Sequence, residues 1–195
     1  MKKLLVALLA LGLLAGGFVV ADAAFAGQEL EEEETFVSVV RGVGNMAVGR
    51  STRLEIYIER WSLPEERTEL LGTLAEGGPP ALLTALQRIE PVGRVRVGTR
   101  TSYPLSFSRQ DVHEDGSRTI VLVTDRPIRN FEALNSSTTV DHAFSLFQFK
   151  VDANNEGEGS IIAGARILVD RETGTMGLES YDSAPLRMGS IRAGR

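Results

Sequence analysis

A helical period appears in only one stretch of this 195-residue chain, residues 62 to 89, and strand-like runs downstream of it are separated by turns and not by helices. Parallel sheets need long crossover connections, so a chain without them is steered toward antiparallel pairing. Within residues 62 to 89, Ser62 and Glu65 have the spacing of a capping box, with Pro64 tolerated in the first turn. Leu63, Leu70, Leu71 and Leu74 then form one apolar stripe. Gly77-Gly78 is expected to stop the helix, Pro79 or Pro80 to start a second one carrying Leu82, Leu83, Leu86 and Ile89, and Pro91 to bar its continuation. The reading is an αα-hairpin whose leucines cover a sheet.

Strand signals flank this insertion. Thr35 to Val40 is β-rich, and the glycines of RGVGNMAVGR make a connection to STRLEIYIERW. There, Leu54, Ile56 and Ile58 face one way and Arg53, Glu55, Tyr57 and Glu59 the other, a strand with one buried and one wet face. Opposite charges interleaved with a tyrosine suit a binding surface or, more often, cross-strand pairing. GRVRVGTR and YPLSFSRQDV are further strands, HEDGS is a turn, and SRTIVLVTD returns. Because Ile120 to Val123 leave neither face polar, that strand belongs inside the sheet. AFSLFQFKVD and SIIAGARILVD form a hairpin around ANNEGEG, and MGLESYDS and APLRMGSIR follow RETGT. The expected fold is an α+β domain, residues 35 to 195. It is built on a mainly antiparallel sheet, sandwich-like or partly closed, under an inserted αα-hairpin at 62 to 89.

Residues 1 to 26 have the three parts of a secretory signal: Lys2 and Lys3, the apolar stretch Leu4 to Val20, and two competing A-x-A triplets at 21 to 23 and 24 to 26. Glycines at 12, 16 and 17 interrupt the apolar run, which falls short of a comfortable span. Export to the periplasm or the medium is expected, with no membrane insertion after cleavage. Residues 27 to 34 follow as an acidic leader, with Glu29 and Glu31 to Glu34 repelling one another.

Removing Lys2, Lys3 and Asp22 from 21 basic and 26 acidic residues leaves a net charge of −6, which speaks against a nucleic-acid partner. Eighteen of the basic residues are arginines, a bias as easily set by genomic base composition as by a site. The absence of cysteine removes disulfides, thiolate metal sites and cysteine nucleophiles together.

The common catalytic signatures are missing. There is no G-x-S-x-G elbow, Gly42-Val43-Gly44 lacks the rest of a phosphate cradle, and no paired-ligand spacing suits zinc. Two histidines exist. His113 lies in the HEDGS turn, whereas His142 opens a strand beside Asp141 and is a catalytic candidate. Asp152, Asn154 and Glu156 place oxygen ligands at alternate positions before a glycine, as in a calcium loop. The closing carboxylate is missing, because Ala163 stands in its place, so a hairpin turn is the competing account and no cofactor is expected.

VTDRPIRNFEAL, residues 123 to 134, follows the most apolar strand. Pro127 ends the strand near Thr124 and turns the chain. Asp125 and Glu132 could then act as acid and base around an anion held by Arg126 and Arg129. Alternatively, the same charges simply pair across a strand end.

The strings RWSLPEER at 60 to 67, TDRPI at 124 to 128 and GEGSI at 157 to 161, in this order behind a signal peptide, resemble an uncharacterised family of exported bacterial proteins. That resemblance implies export and no particular activity. The function expected is a non-enzymatic envelope or secreted domain that binds a protein partner, such as an envelope protein, or a small apolar ligand. The alternative is a hydrolase with a carboxylate site around Asp125 and Glu132, helped by His142. A third reading is a sheet curled far enough to hold a lipid or other hydrophobic molecule against Phe144, Phe147 and Phe149; plain core is the commoner role for such phenylalanines.

Overall fold

The computed structural model describes residues 33–41, 51–99, 101–128, 144–170, 175–180 and 186–194. Among these residues nine antiparallel strands form, with one helical element packed outside them: β1 (Glu34–Arg41), β2 (Ser51–Ile58), α1 (Pro64–Leu86), β3 (Gly93–Val97), β4 (Thr101–Val112), β5 (Arg118–Thr124), β6 (Phe144–Val151), β7 (Gly157–Asp170), β8 (Thr175–Ser180) and β9 (Leu186–Ala193). Eight of them run β6-β5-β4-β3-β2-β1-β9-β7, and β6 and β7 also pair, which closes the ring into a barrel; β8 pairs with the distal part of β7.

This corrects the expected sandwich-like or partly closed sheet. Alternation of apolar and polar residues is common to both architectures, and what decides between them is how β7 is used. Its first residues pair with β6 from Val151↔Gly157 to Leu146↔Ile162, and with β9 from Gly157↔Ile191 to Ile161↔Leu186. A strand held on both edges at the join needs close backbone approach. A methyl group on Gly157 would collide with the Lys150 carbonyl, and one on Gly159 with Phe149. The sequence suggests a turn for these glycines, but the structure puts them inside the strand that seals the ring.

An eight-strand barrel is just wide enough for side chains to fill. Here Phe36, Leu54, Ile56, Ile120, Leu122 and Phe147 are among the fully buried residues of the interior cluster, and Phe36 meets Phe149 edge to face with ring centroids 5.3 Å apart. β5 is apolar on both faces: Ile120 and Leu122 point inward and are fully buried, and the half-buried Val123 packs outward against the helix cluster.

The second correction concerns the helical segment. The expected αα-hairpin is a single helical element, continuous apart from Gly78, which takes φ 70 and ψ −169. Reversing a helix takes a connection of two to five residues, and one left-handed glycine before Pro79 and Pro80 gives a kink instead. Both leucine stripes therefore reach the same surface. Leu70, Leu74, Leu82 and Leu86 bury with Phe144 against Phe107 of β4, Val123 of β5, Leu146 of β6 and Ile162 of β7. Burial of four leucines contributes roughly 1.5–3 kcal/mol each before entropy is counted.

The start of the helix also differs from expectation. Leu63, not Ser62, is the N-cap residue, and the Glu66 carboxylate accepts its backbone N–H at 2.8 Å while gripping Arg60 through two bonds of 2.9 and 2.8 Å. Ser62 instead exchanges bonds with Ser108 on β4, donating its N–H to the Ser108 carbonyl at 3.0 Å and accepting the Ser108 N–H on its hydroxyl at 3.0 Å. No helix among the described residues is long and apolar enough to cross a membrane.

Candidate functional site

Three polar regions stand out on this scaffold. The first is the end of β5, where the TDRPI string lies. The Thr124 hydroxyl donates to the Arg126 carbonyl at 2.6 Å and accepts the Ser145 N–H at 2.9 Å, and the Ser145 hydroxyl accepts the Ile128 N–H at 3.1 Å. Thr124, Ser145 and Ile128 are fully buried. These bonds account for the local backbone polar groups that Pro127 and the strand end leave unpaired, so the network terminates the barrel wall. The Asp125 carboxylate, 8% exposed, is clasped at both oxygens by Arg126, at 2.8 and 2.5 Å, whose own side chain is 60% exposed. The carboxylate raises the Arg126 pKa above its already high value. The candidate acid and the candidate anion-binding cation thus engage each other. Arg129, Glu132 and His142 lie outside the described residues.

The second region is the opposite end of the same strand. Arg118 opens β5 and lies about 20 Å from Asp125 by strand rise. Its guanidinium holds both oxygens of Glu34, at 2.8 and 2.7 Å, together with Gln110 at 2.8 Å and Asn155 at 2.6 Å, and stands 5.7 Å from the Phe36 ring centroid. It closes that end of the barrel over the phenylalanine core. A polar recess of about 420 Å³ lies there, lined by Glu33, Glu34, Arg118, Asp152 and Asn155 among others.

The calcium candidates belong to this end. Asp152 spends one carboxylate oxygen on the backbone N–H groups of Asn154 and Glu156, at 2.8 and 2.9 Å, and Asn155 adopts φ 60. The Glu156 amide, first, and then that of Asn154 hold the Asp152 carboxyl below its usual range. This is the bonding of a hairpin turn. Among the described residues, no three His, Cys, Asp or Glu side chains gather where a metal ion could be held. His113 sits in the HEDGS turn, bonded to Thr119 at 2.8 Å.

The third region went unnoticed as a unit in the sequence: the outer face of β9, β1, β2 and β3. Inward positions there are apolar, and outward ones carry Arg187 and Arg192 on β9, Arg41 on β1, Arg53, Glu55, Tyr57 and Glu59 on or beside β2, and Arg94 and Arg96 on β3. Glu55 is the buried center of its inland part. It accepts Arg53 and the Tyr57 hydroxyl at 2.7 Å each, and Arg96, its cross-strand partner, closes on it. The Tyr57 hydroxyl, and then Arg53 and Arg96, hold the Glu55 carboxyl below the ordinary range against the opposing effect of burial; Glu55 in turn raises the Tyr57 pKa. Arg94 lies over the Tyr57 ring at 4.5 Å while bonding Glu59 at 2.7 Å. The expected cross-strand pairing is present on this face.

On the other side of β1 the pattern changes. Arg41 faces Arg187 directly, Arg192 faces Val37, and all three arginines are exposed with no carboxylate within ion-pair distance among the described residues. A strip of half-buried Thr35, Val37 and Val39 runs between these arginines and those of β2 and β3.

The three phenylalanines proposed as a cavity lining do not share one wall. Phe147 and Phe149 pack in the barrel interior, whereas Phe144 lies outside it in the helix cluster. The strings that carry the family resemblance turn out to be joints: RWSLPEER anchors the helix start, TDRPI ends β5, and GEGSI seals the ring. Comparison of the chain with known protein families, with curated proteins and with solved structures gave no match.

Proposed function

We propose that the chain is an exported, non-enzymatic binding module that holds an acidic protein partner on the outer wall formed by β9, β1, β2 and β3. The observation that carries the reading is a segregation of charge. Among the described residues six arginines, Arg41, Arg53, Arg94, Arg96, Arg187 and Arg192, share that wall with only Glu55 and Glu59, in a chain whose overall charge is −5. Like charges set directly opposite one another across strands are unfavorable, and Arg41 beside Arg187 is such a pair. A carboxylate placed between them would relieve the repulsion. The planar fork of arginine suits carboxylates, and the wall already contains such contacts at Glu55 and Glu59.

An acidic polypeptide fits better than a denser polyanion. The Thr35, Val37 and Val39 strip offers packing for side chains, whereas Glu55 and Glu59 would repel a continuous phosphate backbone. The helix side has the opposite charge: α1 carries Glu65, Glu66, Glu69 and Glu76 against Arg67 alone. An acidic partner is therefore steered to one face. Export rests on the signal-like residues 1 to 26.

The test is a titration of a fluorescein-labelled decaglutamate peptide by fluorescence anisotropy. Binding at low salt that weakens steeply with ionic strength is expected, with at least a tenfold loss in the Arg41→Glu, Arg187→Glu, Arg192→Glu triple variant and none in Glu69→Gln. No binding, or binding indifferent to the wall variant, would overturn the reading.

A further inference from the structure

We infer that the acidic partner proposed above, a reading on which this inference rests, is taken as an extended chain with two carboxylates four residues apart and a small apolar side chain midway between them. The geometry comes from β9. Arg187 and Arg192 are five residues apart in sequence, an odd spacing that would put them on opposite faces of a regular strand. A bulge removes the mismatch. Arg192 lies opposite Val37 and Gly189 opposite Val39, so three steps of β9 match two of β1; on the other edge, three steps from Ile191 to Met188 match two from Gly157 to Gly159 of β7. Ser190, exposed and at φ 52, is the extra residue. The buried Ser38 hydroxyl donates to the Gly189 carbonyl at 3.0 Å and pins the bulge from inside. Leu186, Met188 and Ile191 therefore all stay in the core, and Arg187 and Arg192 both face out.

The outer face formed in this way has two cationic positions with a notch between them. Arg187 and Arg41 make the first, and Arg192 makes the second. Measured along β1 from Arg41 to Val37, they are four residues apart, about 13 Å. In the row between them, the half-buried Val39 faces Gly189. A methyl group on that glycine would meet no atom beyond its chain neighbours nearer than the Val39 carbonyl oxygen, at 3.9 Å. The notch is thus open above an apolar floor. Across the bulge, Glu158 of β7 lies opposite Lys150 and bounds the basic face on that side.

An extended chain repeats this pattern. Its same-face side chains recur every second residue, about 7 Å apart, so a carboxylate, a small apolar residue two positions on and a second carboxylate at the fourth meet the arginine pair, the notch and Arg192 in turn. A helix does not match, because its same-face acids stand about 6 Å apart at four residues and about 10 Å at seven. Each carboxylate would be held as Arg53 and Arg94 already hold Glu55 and Glu59. A continuous run of glutamates instead sets a charge over Val39. Decaglutamate is therefore a usable probe and not the best ligand.

The experiment displaces fluorescein-labelled decaglutamate from the full chain with three peptides of identical composition, TTETVTETT, TTETVETTT and TETVTTETT. Their glutamates are four, three and five residues apart, and the threonines favour an extended backbone. The first is expected to displace the probe at a concentration at least fivefold lower than the other two. Arg192→Gln and Gly189→Val should each abolish that preference, and Gly189→Val, which keeps every charge, should hold decaglutamate within twofold of the parent. Arg192 is exposed, so its variant tests the preference even where Gly189→Val lowers stability.

Equal displacement by all three peptides, with decaglutamate binding still lost in the triple wall variant, would overturn the extended arrangement and leave the acidic partner standing. A preference that survives both Arg192→Gln and Gly189→Val would place its origin elsewhere and overturn the inference as well. No binding of decaglutamate at all would sink the partner reading and this one with it.

Discussion

The two halves of the barrel wall obey the same inward rule and opposite outward ones. Along β4 to β7 the outward residues Phe107, Val123, Leu146 and Ile162 are apolar and accept the helix; along β9, β1, β2 and β3 the outward face is dominated by charge. The first half is thus committed to the fold by burial. The second is held by ion pairs on its inland side and carries, on the other, arginines that meet no carboxylate among the described residues. The eight-strand ring itself has no edges to offer a partner, so recognition on the ring uses an outward face; β8, outside the ring, pairs only with β7 among the described strands. Only one half keeps such a face free of the helix.

The comparison is broken most easily from the helix side. Leu86→Ala, at a site 2% exposed, should cost about 2–4 kcal/mol in urea denaturation while the remaining folded protein binds decaglutamate as before. Loss of peptide binding without loss of stability would show that the halves are not independent.

On the wall itself, Glu55→Gln removes the charge that three partners hold, and about 1–2 kcal/mol should be lost at neutral pH. The folded-state pKa of Glu55 is depressed. Its stabilisation is therefore present above the unfolded value, about 4, and is lost as the pH falls through the lower folded value. Denaturation between pH 7 and 2 should show a shallower acid decline in Glu55→Gln than in the parent. An identical acid limb would mean that Glu55 is not the group that senses pH.

Asp125→Asn should lower stability by no more than about 1 kcal/mol, since Arg126 is largely in water, and should leave peptide binding unchanged. A change in binding would bring the far end of β5 into the recognition surface. The smallest effect is expected of Arg192→Lys, which keeps the charge and loses the fork: a two- to threefold drop in peptide affinity, no change in melting temperature and a salt dependence like the parent's.

Much of the barrel was legible locally. β-rich runs bounded by turn residues located β1 to β9 to within a few residues, and the two-sided apolar run of β5 announced a strand inside the sheet. Closure was not legible, because it depends on pairings between distant strands. β9 lies beside β1 although Gly189 and Val39 are 150 residues apart in the chain, and β7 pairs with both β6 and β9. Gly157 and Gly159 were the local trace of that seam, but glycines in a polar stretch look like a turn. Helix propensity and leucine spacing were sound, but one residue at Gly78 decided between a hairpin and a kink.

The TDRPI string was visible as a polar strand end, and its charges prove to pair locally. The arginine wall could not be seen for the same reason as the closure. Its members lie on four strands, and only ring order makes them neighbours.

The position of β9 between β1 and β7 also sets a timetable. It is the last strand in chain order and the one that joins the first strand to the seam. While the chain is being made, β1 and β7 remain two open edges, and Val39, Arg41 and their neighbours have no β9 to pair with. The wall and the closed barrel come into existence at the same late moment. A chain stopped before Leu186 would lack Arg187 and Arg192 of the wall and leave β1 and β7 unprotected at their edges, and should be lost to aggregation or proteolysis.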